Sequence, residues 1–207
     1  MQESKRRAAL VTGGRRGIAY ALAEAGFDVA IIDLEQDAAC DETLAALRDR
    51  GARTHFIRGD IAGLDRHAAM IDEIYAAFGT LDCLVSNAGV QVKVRGDILD
   101  VKPESYDRVM GVNLRGTFFL TQQVARRMVA EERPADSPAR SIITISSANA
   151  FIAGPDHSEY CMSKTALSMM TKMLAVRLAP HRIYTYEIRP GIIQTDMTAV
   201  AREKYDR

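Results

Sequence analysis

The sequence predicts an α/β fold, a doubly wound parallel sheet with helices on both faces. Three observations predict it. Short apolar runs alternate with segments of helical periodicity along the whole chain. The apolar runs show no clean period-two pattern, as expected of strands buried on both faces of a parallel sheet. Gly, Asp and Asn residues fall where those runs end, the edge at which such sheets bind ligands.

The first strand is Ala8-Ala-Leu-Val11. It leads into Thr12-Gly13-Gly14-Arg15-Arg16-Gly17-Ile18-Ala19, which reads as a glycine-rich turn and a helix start. Glycines there let the backbone approach a pyrophosphate, and free N–H groups at the helix N-terminus attract its charge. The second strand, Phe27 to Ile32, ends in Asp33. An acidic residue about 20 positions after such glycines is placed to bind both hydroxyls of a ribose. Its charge repels a 2′-phosphate and so favours NAD(H), whereas Arg15 and Arg16 pull toward NADP(H). The competing reading of Asp33 is a turn or helix cap.

Ala38 to Arg50 reads as an amphipathic helix and Arg53 to Arg58 as the third strand, ended by Gly59-Asp60-Ile61. A helix from Leu64 to Phe78 closes at Gly79. The fourth strand, Leu81 to Ser86, runs into Asn87-Ala88-Gly89. Gly13, Asp33, Asp60 and Asn87 therefore gather at one sheet edge. A long helix from Pro103 to Glu131 contains Asn113 and Gly116. Both are unfavourable in a helix interior, so a bend or a buried polar role is expected there. The polar stretch 131–138 is a surface connection. The fifth strand, 141–146, delivers Ser147 to the same edge. The sixth, Ile183 to Ile188, turns at Arg189-Pro190-Gly191 and continues into 192–197.

The stretch from Ser147 to Lys164 carries the chemistry. Tyr160 and Lys164 are four apart in a strong helical pattern and so share one helix face. An ammonium beside a phenol favours the phenolate and lowers its pKa from about 10. That makes the tyrosine an acid/base for interconverting a carbonyl and an alcohol. The loop through Gly154-Pro155 lets Ser147 fold back toward Tyr160. The stripe Leu167, Met170, Met173 and Leu174 reads as core or subunit contact.

The remaining composition narrows the class. The chain has 207 residues, with 27 basic and 27 acidic side chains, which gives no support for a nucleic-acid or anionic-membrane partner. No apolar run approaches the roughly 18 residues of a membrane span, and the polar start offers no signal peptide. Cys40, Cys83 and Cys161 are odd in number and far apart, and the four His are scattered. Both facts point to reduced thiols in a cytoplasmic protein without a metal site.

Together these motifs resemble the short-chain dehydrogenase/reductase family, a Rossmann-type fold. The matches are Thr12-Gly13-x-x-x-Gly17, Asp60, Asn87-Ala88-Gly89, Asn113, Ser147, Tyr160-x-x-x-Lys164 and Pro190-Gly191 with Thr195. Within the family the chain is most similar to the 3-oxoacyl-acyl-carrier-protein reductase group. The resemblance implies a catalytic set of Asn113, Ser147, Tyr160 and Lys164. Tyr160 would exchange the proton, Ser147 would bond the substrate oxygen, and Asn113 would keep a water in the proton path. Lys164 would support Tyr160 and hold the nicotinamide ribose. Gly13, Arg15, Arg16, Gly17 and Ile18 would face the pyrophosphate. Asp33, Asp60 and Ile61 would face the adenosine, and Asn87, Ala88 and Gly89 the ribose region. Pro190, Gly191, Ile193 and Thr195 would reach the nicotinamide, together with Tyr160 and Lys164. The implied assembly is a homo-oligomer, a tetramer or dimer, built on the helices carrying Asn113 and Tyr160.

Two departures from the family pattern bear on function. About one helical turn is absent after Gly17, and Ala19 replaces the third glycine. Beyond Arg207 the resemblance implies a further helix and a seventh strand, so residues 1–207 are expected to be one domain that lacks them, as a fragment or an incomplete record would. The function expected is NAD(P)(H)-dependent reduction of a ketone or 3-oxoacyl group, or its reverse. The substrate is a small molecule, free or carrier-bound. The competing function is a catalytically impaired member that acts by binding nucleotide or a partner.

Overall fold

Strands β1 (Arg7–Thr12), β2 (Phe27–Asp33), β3 (Thr54–Arg58), β4 (Cys83–Ser86), β5 (Arg140–Ile145) and β6 (Ile183–Ile188) form one sheet. Their order is β3-β2-β1-β4-β5-β6, and every pairing is parallel. This is the doubly wound arrangement, with the order reversing between β1 and β4. The structure is a computed structural model that describes residues 6–14, 17–191 and 193. The expectations for Arg15, Arg16 and Thr195 therefore lie outside the described residues.

Alternate residues of the central strands enter two cores on opposite sheet faces. On one face Ala9, Val11, Val29 and Ile31 meet Ala19 and Ala23 of α1 (Gly17–Glu24) and Cys40, Leu44 and Leu47 of α2 (Ala38–Asp49). On the other, Ala8, Leu10, Ala30 and Ile32 meet Met70, Ile74 and Phe78 of α3 (His67–Phe78). Leu120, Val124 and Met128 of α5 (Thr117–Ala130) join that second core. Helix α1 has only 8 residues. Ala19 and Ala23, four apart, still form its buried face, so the loss of one turn leaves the register intact. Ala19 is fully buried, and its small side chain serves the close helix–strand packing that the third glycine would otherwise give.

Three expectations need correction. The fourth strand begins at Cys83 rather than Leu81, because the buried Asp82 carboxylate turns to accept the Ala8 N–H at 2.9 Å. Residues Leu64–Arg66 form a 3-10 turn before α3, not its first turn. Burial on both faces holds for β1, β2 and β4, whereas β5 and β6 alternate. On the face of α1 and α2 the core reaches Ile143 and Ile145 of β5, and among the described residues Tyr184, Tyr186 and Ile188 of β6 are left about half exposed.

The long helix divides as its sequence predicts. Helix α4 (Pro103–Met110) passes into a π-helical segment, Gly111–Gly116, and then into α5. Such segments mark functional sites more often than regular helix does. Gly116 closes the segment against the turn after β3. A Cβ on Gly116 would stand 2.5 Å from the Ile61 carbonyl oxygen and 2.8 Å from its carbon. Its backbone is ordinary helix, with φ of −63°, so only the contact opposes a side chain. Gly116→Ala is therefore expected to destabilise the chain by about 1–3 kcal/mol. A thermal melt checks this; a raised midpoint would mean that the turn yields freely.

Candidate active site

The carboxyl ends of β1 and β4 are laced together. Thr12 Oγ1 accepts from the N–H groups of Asn87 and Ala88, each at 3.0 Å. Asn87 Nδ2 donates to the carbonyls of Thr12 and Gly13, at 3.0 and 2.9 Å. Gly13 has φ of +63°, and a Cβ there would lie 3.0 Å from Ala88 Cα. Glycine is thus required both by the backbone and by the close approach. Gly17 opens α1, and among the described residues outside its own helix nothing stands within 4 Å of where its Cβ would be. A side chain of its own is thus absent from the helix start, which suits close approach of a pyrophosphate.

Asp33 ends β2, half-buried, and its Oδ1 accepts from Leu34 N at 2.7 Å. Asp60 is exposed, and its Oδ1 accepts from Ala62 N at 2.8 Å. Both carboxylates thus act as local turn caps while standing at the expected edge. The side chain of Ile61 belongs to the core, and its carbonyl accepts from His67 Nε2 at 2.7 Å.

Asn113 is fully buried in the π-helical segment. Its Oδ1 accepts from Val90 N at 2.7 Å, while Nδ2 donates to Val90 O at 2.9 Å and to Ser163 Oγ at 3.1 Å. It thereby pins the loop after β4 to α6 (Ser158–Leu178), the helix of Tyr160 and Lys164. Gly89 lies in the angle between them. A Cβ on Gly89 would stand 3.2 Å from Asn113 Oδ1 and 3.5 Å from Lys164 Nζ.

Lys164 is 4% exposed. Its Nζ donates to the Ile145 carbonyl at 3.0 Å and lies 5.6 Å from the centre of the Tyr160 ring. Burial lowers its pKa from 10.5 to about 8. Ser147 follows β5 in extended backbone and is buried. Its Oγ accepts from Asn149 N at 3.1 Å. Ala148 N donates to Pro190 O at 2.9 Å, which joins the serine loop to the Pro190-Gly191 turn. Tyr160 sits in the first turn of α6, with the His157 ring 6.0 Å away at 44°. The edge thus collects Gly13, Gly17, Ile18, Asp33, Asp60 and Asn87 to Gly89 on one side. Ser147, Tyr160, Lys164, Pro190 and Gly191 lie on the other, and Ile193 beyond them is exposed.

Sequence reasoning missed four contributors. Thr12 is signalled only by preceding Gly13. Ser163, which also donates to Tyr160 O at 2.7 Å, is signalled only by its place beside Lys164. The Ile145 carbonyl has no side-chain signal at all. A clasp joins the loop after β4 to the turn before Tyr160: Arg95 Nη1 donates to Asp156 Oδ2 at 3.0 Å, and Asp156 Oδ1 lies 2.6 Å from His157 Nδ1. Among the described residues no group of three or more His, Cys, Asp or Glu could hold a metal, and no helix is long and apolar enough to cross a membrane.

This fold and edge define an oxidoreductase, and the chain belongs to the short chain dehydrogenase family, whose profile matches residues 7–206. Among curated relatives it is 32% identical to a 2-dehydro-3-deoxy-D-gluconate 5-dehydrogenase of Dickeya dadantii, over 95% of this chain and 74% of that one. It is also 32% identical to the 3-oxoacyl-(acyl-carrier-protein) reductase FabG of Staphylococcus aureus, over 93% and 76%. A solved 3-oxoacyl-(acyl-carrier protein) reductase from Brucella melitensis in complex with NAD superposes with a TM-score of 0.92 at 46% identity, covering 99% of this chain and 80% of that one. The chain is thus an enzyme of carbonyl–alcohol redox chemistry that uses a nicotinamide cofactor. The impaired-binder alternative gains no support from these relatives.

Proposed function

We propose that the chain reduces a ketone or 3-oxoacyl carbonyl to a secondary alcohol, with Tyr160 as general acid and NADH as the preferred cofactor. The observation that carries this reading is Lys164: a buried amine, tied to Ile145 O and set 5.6 Å from the Tyr160 ring. A buried lysine costs free energy that an apolar residue would not, so its position calls for a chemical role.

The residues fit a nicotinamide dinucleotide. The glycine turn at Gly13 and the start of α1 at Gly17 suit the pyrophosphate. Asp33 and Asp60, at the same sheet edge, suit the adenosine, and the Pro190-Gly191 turn suits the nicotinamide end. When bound, the cofactor supplies or takes the hydride. The protein's part is the proton. Tyr160 gives it to the substrate oxygen, and Ser147 bonds that oxygen as charge grows on it. Lys164 still has donors beyond the one on Ile145 O and steadies the deprotonated tyrosine electrostatically. Asn113 holds the loop and helix at fixed separation.

Relatives named as 3-oxoacyl reductase and sugar-acid dehydrogenase support a small oxo or hydroxy substrate, carrier-bound or free. Three free cysteines, two of them buried, support a cytoplasmic setting. A homo-oligomer is supported by apolar surface on two helices. Met162, Met169, Met173 and Val176 of α6 are exposed, while Met110, Leu114, Phe118 and Phe119 line an open groove of about 580 Å³.

Titration with NADH and NADPH tests the cofactor reading. NADH is expected to bind at least about tenfold more tightly, a difference of about 1.4 kcal/mol, and Asp33→Ala should narrow the gap. Tighter NADPH binding would mean that the Asp33 charge does not set the choice. Binding of neither would remove the proposed function.

A further inference from the structure

On β6 the residues facing α6 are Ile183, Thr185 and Glu187; Ile183 joins the core with Leu178, and Thr185 Oγ1 donates to Thr171 O at 3.2 Å. The Glu187 side chain is 13% exposed, and three donors converge on it. Its Oε1 accepts from Ser146 Oγ at 2.5 Å. Its Oε2 accepts from Ser168 Oγ at 3.0 Å and from Arg189 Nη2 at 2.8 Å. Arg189 Nη2 also donates to Ser168 Oγ at 2.8 Å. Burial alone would raise the Glu187 pKa. Hydrogen bonds from Arg189, Ser146 and Ser168 outweigh it and hold the carboxyl below its usual range, so it is ionised at neutral pH.

Each partner stands one step from the proposed chemistry. Ser146 immediately precedes Ser147. Ser168 continues the helix stripe of Tyr160 and Lys164 at four-residue spacing. Arg189 precedes Pro190, whose carbonyl accepts from Ala148 N. The backbone pairing of β5 and β6 exists without the carboxylate. What the carboxylate adds is direction, because it accepts only and so turns the Ser146 and Ser168 hydroxyls toward it as donors.

We propose that Glu187 is a positioning residue for carbonyl reduction. Its carboxylate holds the Ser147 strand end, the Tyr160–Lys164 helix face and the Pro190 turn in one arrangement, and its main effect is on where the Ser147 hydroxyl points. This rests on the function proposed above.

A double-mutant cycle tests it: Glu187→Gln, Ser147→Ala and the pair, in single-turnover reduction with saturating NADH. Glu187→Gln is expected to slow reduction about tenfold, since small displacements of reacting groups cost up to about a hundredfold. Substrate KM should move less than about threefold and the melting midpoint only slightly. In the Ser147→Ala background the same substitution should cost less than about threefold, because the group being positioned is gone. Ser146→Ala, which cuts one link and leaves Arg189 and Ser168 in place, should show the same coupling with a smaller loss. It carries the test if Glu187→Gln fails to fold. An unchanged rate, or an equal loss in both backgrounds, overturns the proposal while leaving the reductase reading intact. A wild-type chain that reduces no carbonyl overturns that reading, and this proposal with it.

Discussion

Tyr160→Phe is expected to lower carbonyl reduction by about a thousandfold, within the range general acid catalysis contributes, and to leave NADH affinity within about twofold. The substitution removes one oxygen and keeps the ring. Packing against His157 and the face toward Lys164 both involve the ring and so survive. Only the proton donor disappears. Burst-free steady-state rates and a fluorescence titration of the same preparation separate the two effects. A variant that turns over like wild type would remove Tyr160 from the chemistry, and one that loses NADH binding would assign the hydroxyl a binding role instead.

Lys164→Met is expected to abolish turnover while raising stability at neutral pH. The folded amine has a pKa of about 8, against 10.5 for the ordinary side chain. Between those values the unfolded chain keeps a proton that the folded chain has released. Wild-type stability therefore climbs as pH rises from about 8 toward 10.5 and is lost as pH falls through 8. At neutral pH the folded state holds a buried charge with one carbonyl partner, Ile145 O. Removing that charge should stabilise the chain by about 1–4 kcal/mol, the range seen when buried ion pairs give way to apolar residues. For a domain of this size that is a rise of several degrees in the melting midpoint. The gain should shrink in alkaline buffer, where wild-type Lys164 is neutral as well. A variant less stable than wild type at neutral pH would mean that the bond to Ile145 O outweighs the cost of the charge.

Much of this site was legible because its parts are local patterns. Tyr160 and Lys164 share a face through helical spacing alone. Asn113 and Gly116 announced a helix defect through poor propensity, and the defect is the π-helical segment. Asp33 and Asn87 follow strands whose ends must coincide in a parallel sheet. What stayed hidden depends on residues far apart in sequence. Ser146 and Glu187 are 41 positions apart, and nothing local to either residue pairs them. Lys164 is fixed by a backbone carbonyl, which every residue possesses. The thinner cover on one face of β5 was hidden because Ile143 and Ile145, half-buried there, are as apolar as the core residue Ile142. Asp82 reads as an ordinary turn residue, yet it is buried and accepts the Ala8 N–H.

The central claim is that this edge moves a proton through Tyr160 as a carbonyl is reduced. NADH consumption by wild type and Tyr160→Phe, side by side at neutral pH with 3-oxoacyl thioesters and simple ketones, tests it most directly. Wild type should consume NADH, with an alcohol formed in equal amount, and the variant almost none. Equal rates in the two proteins would contradict it, as would tight NADH binding by wild type with no carbonyl reduced.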